Sequence, residues 1–258
     1  MSKVNLVLVG AGKFGQAYIK TLATFPDVVL TIANRQNWRS LIETKQYRGA
    51  IIATGPDSHI PIAICCLHNA IPTLIEKPLS LSLTEAQSLL QFNSVPILVN
   101  HIHLFSKDYQ NIKNSIDIKD IRTIKTTASS NSQPRSYSRL WDYFPHDAAL
   151  IIDLVQQYPK TIKCTGKEPN FTITMEFDTF RSITNIGYSD TRQRLLDINN
   201  GKFIYDGMAS IDLPLTNALQ VFIDAIHGKP DYRLGLDLSL QVMKVLEECQ
   251  TQLDMQAF

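Results

Sequence analysis

Glycine and proline are scarce, 11 and 12 among 258 residues, which excludes a collagen-like or low-complexity chain. Neither sign of charge prevails: 25 Lys+Arg stand against 24 Asp+Glu, a formal +1. So little net charge gives little long-range field, and neither nucleic acid nor an anionic membrane surface is an expected partner. No stretch reaches the ~18 uninterrupted apolar residues of a membrane-spanning helix. The first apolar run is broken by Asn5 and ended by Gly10, Gly12 and Lys13 with no cleavage pattern after it, so no secretory signal is expected. Cysteine is limited to Cys65, Cys66, Cys164 and Cys249, without a CxxC spacing. That argues against a disulfide framework or a zinc site and for reduced, mostly buried thiols, as in a soluble cytoplasmic protein.

The apolar fraction, 44%, is enough for one large domain or two modest ones. Over the first hundred residues short β-rich runs alternate with helical spacing. Strands are expected at Lys3–Val9, Asp27–Ala33, Ala50–Thr54, Thr73–Glu76 and Val95–Asn100. Helices are expected between them at Gln16–Thr24, Trp38–Lys45, His59–Asn69 and Leu83–Gln91. Such alternation predicts βαβ units and a parallel sheet. From Asp120 to Gly207 the pattern turns to successive strands (IRTIKTTAS, KTIKCTG, NFTITMEF, RSITNIGY, RQRLLDI, KFIYD) interrupted by one helix from Pro145 to about Gln156. Helices at Leu215–His227 and Leu236–Gln252 close the chain. The expected fold is α/β: a Rossmann domain over 1–100, then an α+β domain over 101–258 with an open, mostly antiparallel sheet. The final helices are expected to pack back toward the first domain.

Gly10-x-Gly12-x-x-Gly15 follows the first strand directly and opens a helix. In that position the glycines serve a tight turn, close approach to a pyrophosphate and helix–strand packing, and the helix N-terminus offers free N–H groups. Lys13 and Phe14 lie within the same loop. The second strand ends Ala33-Asn34-Arg35, without the carboxylate that accepts from the ribose 2′-OH of NAD. Asn34 can bond a 2′-oxygen and Arg35 can pair with a 2′-phosphate, so NADP is favoured, with NAD as the alternative.

Glu76-Lys77-Pro78 ends the fourth strand, at the edge where open α/β sheets bind ligands. A lysine held there can orient a substrate oxygen and share its proton. Residues 141–147 read WDYFPHD. Pro145 suits the first position of a helix, which would place His146 in its first turn, neutral and able to accept a proton. Asp142 would approach the same oxygen or orient the imidazole.

The ordered set GAGKFG, ATGPDSH (Ala53–His59), EKP and WDYFPHD resembles the Gfo/Idh/MocA family of NAD(P)-dependent oxidoreductases, the glucose–fructose oxidoreductases and inositol dehydrogenases among them. The likeness runs from Val4 to about Gln250. It implies a Rossmann domain followed by an α/β domain whose open sheet serves oligomer contacts. The implied reaction moves hydride between nicotinamide and a hydroxyl or carbonyl carbon of a sugar, sugar derivative or cyclitol. It implies catalytic roles for Lys77, Asp142 and His146, and cofactor contacts at Thr54, Gly55, His59, Glu76 and Lys77. Ala149 stands where the family commonly carries another acidic residue, and the stretch between the second and third strands is short.

His101-x-His103 could present two imidazoles on one strand face, but no third ligand has a recognisable spacing, so no metal site is expected. His101 is expected to face the nicotinamide or substrate. Arg135 and Arg139, in the loop before Trp141, and Tyr143 are the other candidate substrate contacts. Two readings rival the first: reduction of a C=N bond in the same cleft, and a dinucleotide-binding regulator without catalysis. The uncovered face of the second sheet is expected to be apolar and to be covered in a homodimer or homotetramer.

Overall fold

The computed structural model describes residues 3–132, 135–209 and 213–256. In chain order the elements are β1 (Val4–Val9), α1 (Lys13–Leu22), β2 (Val28–Ala33), α2 (Trp38–Glu43), β3 (Gly49–Ile52), α3 (His59–His68), β4 (Thr73–Glu76), α4 (Leu83–Gln87) and β5 (Ile97–Asn100). There follow α5 (Lys107–Ser115), β6 (Thr123–Ser129), α6 (Arg139–Val155), β7 (Thr161–Lys167), β8 (Asn170–Glu176), β9 (Arg181–Gly187), β10 (Gln193–Ile198), β11 (Phe203–Asp206), α7 (Pro214–Ile226) and α8 (Leu236–Gln256). The chain forms two compact units, 1–101 with 215–240, and 102–214 with 241–258.

The first unit holds a five-stranded sheet in the order β2-β1-β3-β4-β5, parallel throughout. Its central strands are apolar on both sides because helices cover both faces: Leu6, Val7, Leu8, Ile51, Ile52, Leu74 and Ile75 are all buried. The returning α7 completes this core. A side chain at Gly49 would meet Ile226 at 2.6 Å and Phe222 at 2.9 Å, so glycine there admits the helix. The strands end in step: Val9 pairs with Ala33 and Ile52, Ile52 with Ile75, and Glu76 with Asn100. The loops at Gly10, Asn34, Ala53 and Lys77 and the residue His101 therefore share one edge of the sheet.

The second unit holds a six-stranded sheet in the order β11-β10-β6-β9-β8-β7, antiparallel except for β6 and β9. Period-two burial along each strand turns Ile162, Cys164, Ile173, Met175, Ile186, Leu196 and Ile198 inward. The opposite face carries exposed Lys125, Lys163, Thr172, Asn185 and Gln193, with Ile204 and half-buried Ile183 and Leu195 among them. The outward face, expected to be apolar, is thus mainly polar, filled by Thr, Lys, Asn and Gln, with Lys125 and Asp197 standing between Ile183 and Ile204 in the register.

Helix α6 departs from the sequence expectation. It begins at Arg139, after the Ser138 cap, and runs through Pro145, so His146 lies mid-helix rather than in a first turn. The dipole argument for a neutral His146 falls with that correction. Pro145 removes one intrahelical donor, yet Leu140, Trp141, Phe144, Ala148, Ile151, Ile152 and Val155 are buried at helical spacing. Burial of that face outweighs the missing bond. The expected helix Leu83–Gln91 is an α-turn to Gln87 continued by a 3₁₀ turn to Gln91. No described helix is long and apolar enough to cross a membrane.

Candidate functional site

In the first unit the glycine loop fits a dinucleotide. Gly10 sits at φ +101°, and a Cβ there would lie 2.7 Å from the Ala53 carbonyl oxygen. A Cβ on Gly15 would lie 2.1 Å from the Gly10 oxygen. These two glycines are required by the turn and by its contact with the loop after β3. Gly12 differs, since a Cβ there would meet nothing within 4 Å. The space beside it is open at the N-terminus of α1, whose first turn holds no acidic residue and whose cap makes no side-chain hydrogen bond. The leading N–H groups of α1 are therefore available to phosphate oxygens.

The loop after β2 is held by its own asparagines. Asn34 Oδ1 accepts from the backbone N–H of Gln36 at 2.8 Å and of Asn37 at 3.2 Å, and Asn34 N–H donates to Asn37 Oδ1 at 2.7 Å. The Asn34 carboxamide nitrogen and the exposed Arg35 stay outside this turn. Gly55 also faces open space. Thr54 is half-buried and receives a hydrogen bond from Ser58 at 2.8 Å.

Two expected cofactor contacts, His59 and Glu76, are bonded within the scaffold. The His59 ring is buried, with Nδ1 2.9 Å from the Pro78 carbonyl oxygen and Nε2 3.1 Å from that of Thr54. It ties the loop after β3 to the loop after β4, and burial lowers its pKa. The Glu76 carboxylate accepts from Tyr18 at 2.6 Å and Asn100 at 3.0 Å through Oε1, and from the Lys77 N–H at 3.2 Å through Oε2. A buried carboxylate has to be satisfied, and these donors do so. Burial, and then the Glu76 charge, pushes the Tyr18 hydroxyl well above its usual range. Tyr18 was not singled out by sequence reading; its only signal was a large aromatic on the inward face of α1.

Lys77 is 8% exposed, follows β4 directly and precedes Pro78 across a cis bond. Its Nζ lies 5.8 Å from the centroid of the Phe14 ring, which connects it to the glycine loop. His101 is buried with Nε2 3.1 Å from Ser239 Oγ, a partner more than half the chain away.

In the second unit Asp142 and His146 stand one helical turn apart on α6, hence on one face. Asp142 Oδ2 accepts from Arg135 Nε at 2.8 Å. The His146 ring stands edge-on to His103, and His103 Nδ1 is 2.8 Å from the Tyr205 hydroxyl. The next residue, Asp147, is fully buried and accepts from Arg194 at 2.8 Å, which anchors α6 to β10. Burial raises the Asp147 pKa against the pull of Arg194.

Arg139 does not lie in the expected loop. It opens α6, is 7% exposed, and donates to the carbonyls of Ser130 at 3.0 Å and Ser132 at 2.8 Å. The Tyr143 hydroxyl receives Arg139 at 3.2 Å and bonds Ser130 and Ser132, so it too is engaged within the unit. Arg135 is the more exposed of the two arginines and is paired with Asp142. No group of three or more metal-ligating side chains occurs among the described residues.

Residues 28–94 match the Gfo/Idh/MocA family model, described as an oxidoreductase family with an NAD-binding Rossmann fold. The matched segment contains Asn34, Arg35, Thr54, Gly55, His59, Glu76 and Lys77 and begins after the glycine loop. None of the curated proteins matches by sequence. Among solved structures, a protein of Magnetospirillum magnetotacticum MS-1 is 24% identical, with TM-score 0.85 over 96% of this chain and 100% of that one. Myo-inositol 2-dehydrogenase from Lactobacillus plantarum is 14% identical, with TM-score 0.87 over 99% of this chain and 98% of that one. UDP-N-acetylglucosamine 3-dehydrogenase from Acidithiobacillus ferrooxidans is 14% identical, with TM-score 0.85 over 98% of each chain. At these identities the likeness establishes the fold, and the family model matches the stretch that holds two of the four motifs, ATGPDSH and EKP.

Proposed function

We propose that this chain, whose residues 28–94 match the model of the Gfo/Idh/MocA oxidoreductase family, is an NAD(P)-dependent dehydrogenase that prefers NADP(H). Its substrate would be a hydroxyl or carbonyl carbon of a sugar, sugar derivative or cyclitol, the class named by the inositol and amino-sugar dehydrogenases of like fold. The observation that carries this reading is the open Gly12 at the start of α1, with Lys77 joined to the same loop through Phe14.

The dinucleotide, when bound, supplies or removes the hydride. The protein's own groups do the rest. The leading N–H groups of α1 hold the phosphates, Asn34 and Arg35 receive the 2′-phosphate, and Lys77 orients the reacting oxygen. His146, with Asp142, exchanges the proton with that oxygen. A second copy of the chain, as dimer or tetramer, would cover the sheet face that holds Ile183, Leu195 and Ile204. Four free cysteines suit a reducing cytoplasm.

A thermal-shift panel of NADP, NAD, cyclitols, sugars and nucleotide sugars tests the assignment, since a ligand of the folded state raises the midpoint. A shift with NADP, enlarged by one substrate class that then reduces NADP, is the expected result. Cofactor binding with no turnover of any hydroxyl compound or imine would instead favour a dinucleotide-binding regulator.

A further inference from the structure

Glu76 of β4 and Asn100 of β5 are register partners, so Lys77 and His101 are the next residues on two neighbouring parallel strands. His101 is 2% exposed, and its ring is held from one side only: Nε2 lies against Ser239 Oγ, whereas no described group hydrogen-bonds Nδ1. Ser239 belongs to the segment that returns to the first unit, and its hydroxyl donates to the Gly235 carbonyl at 3.3 Å. Gly235 is itself bridged to Leu98 of β5.

A serine hydroxyl has one proton to give. With that proton directed to Gly235, Ser239 Oγ accepts from His101, which places the ring proton on Nε2 and a lone pair on Nδ1. The charged surroundings agree. Lys77 and Glu76 are the ionisable groups on the adjoining strand end, and the Glu76 carboxylate is already taken by Tyr18, Asn100 and the Lys77 N–H. The positive Lys77 attracts a lone pair and repels an N–H dipole. Burial, and then the Lys77 charge, push the imidazole pKa down to about 3, so the ring is neutral wherever the protein is folded near neutrality.

We propose that Ser239 fixes His101 as the Nε2–H tautomer, and that its Nδ1 lone pair, which makes no hydrogen bond among the described residues, steadies the Lys77 ammonium through space as a positioning group. The inference rests on the role given to Lys77 above and adds what sets that lysine's proton. It makes a serine near the start of α8 part of the proton-handling apparatus.

Histidine-labelled ¹⁵N spectra of the folded protein test it without substrate. The expected result is a proton on His101 Nε2 and a Nδ1 resonance that moves in Lys77→Met. A proton on Nδ1, or a Nδ1 resonance indifferent to Lys77→Met, would overturn the proposal even in a fully active enzyme. Once a substrate is known, Ser239→Ala and His101→Leu should shift the limb of the kcat–pH profile that belongs to Lys77 to lower pH. The KM for NADPH should stay unchanged, and His101→Asn should move the limb back. An unshifted limb in both variants counts against the proposal, while absence of turnover counts against the dehydrogenase assignment and leaves the spectra to decide this one.

Discussion

The ring of His146 stands edge-on to that of His103, with centroids 4.9 Å apart and planes at 89°. His103 is braced in turn by Tyr205 and by the backbone at Gly207, where a Cβ would come within 2.9 Å of the His103 ring. The imidazole assigned to proton transfer is therefore seated against a second imidazole. His146→Ala should lower kcat by roughly 10²-fold or more, the scale of general acid–base catalysis. Gly207→Ala should lower kcat less while leaving cofactor affinity alone. Steady-state kinetics with the substrate found by the panel checks both.

The glycine loop separates folding from binding. Gly15→Ala should destabilise the protein strongly, since its Cβ would overlap the Gly10 oxygen. Gly12→Ala should keep the wild-type melting temperature and weaken NADPH by about 10-fold, or 1.4 kcal/mol. Thermal melts with and without NADPH distinguish the two. Equal loss of stability in both variants would contradict the open cradle at Gly12.

Arg194 and Asp147 form a buried pair that anchors α6. Arg194→Met leaves a carboxylate buried without its partner and should cost about 3–5 kcal/mol in chemical denaturation. The double variant Asp147→Leu/Arg194→Met should recover part of that loss.

His59 and His101 both have pKa values lowered by burial, His101 to about 3 against 6.5 in the unfolded chain. The unfolded chain thus takes up protons that the folded chain refuses, and these groups lower stability as pH falls below about 6.5. Asp147, raised above 3.8, acts in the opposite sense, holding its proton longer when folded. Melts of the wild type and of His101→Asn at about pH 7 and about pH 5 should show a smaller acid loss in the variant.

Most of the first unit was legible because parallel strands, buried on both faces, leave continuous apolar runs, and the glycine and EKP motifs mark their ends. The second unit was legible as strands for the same alternation that buries Ile173 and exposes Thr172. Misreadings arose where burial overrode a local rule. Pro145 looked like a helix start but lies inside α6, carried by the packing of Trp141 and Phe144. Arg139 looked like a loop residue but opens α6, where its guanidinium bonds the Ser130 and Ser132 carbonyls. Pairings over long sequence separation, such as Tyr18 with Glu76 and His101 with Ser239, leave no spacing for a sequence to show.

Titration of nicotinamide fluorescence with NADPH and NADH tests the central claim most directly. Saturable binding of NADPH, at least ~10-fold tighter than NADH (about 1.4 kcal/mol), is the predicted result. The preference should vanish in Arg35→Ala with NADH affinity nearly unchanged. Absence of saturable binding by either nucleotide would contradict the dehydrogenase assignment.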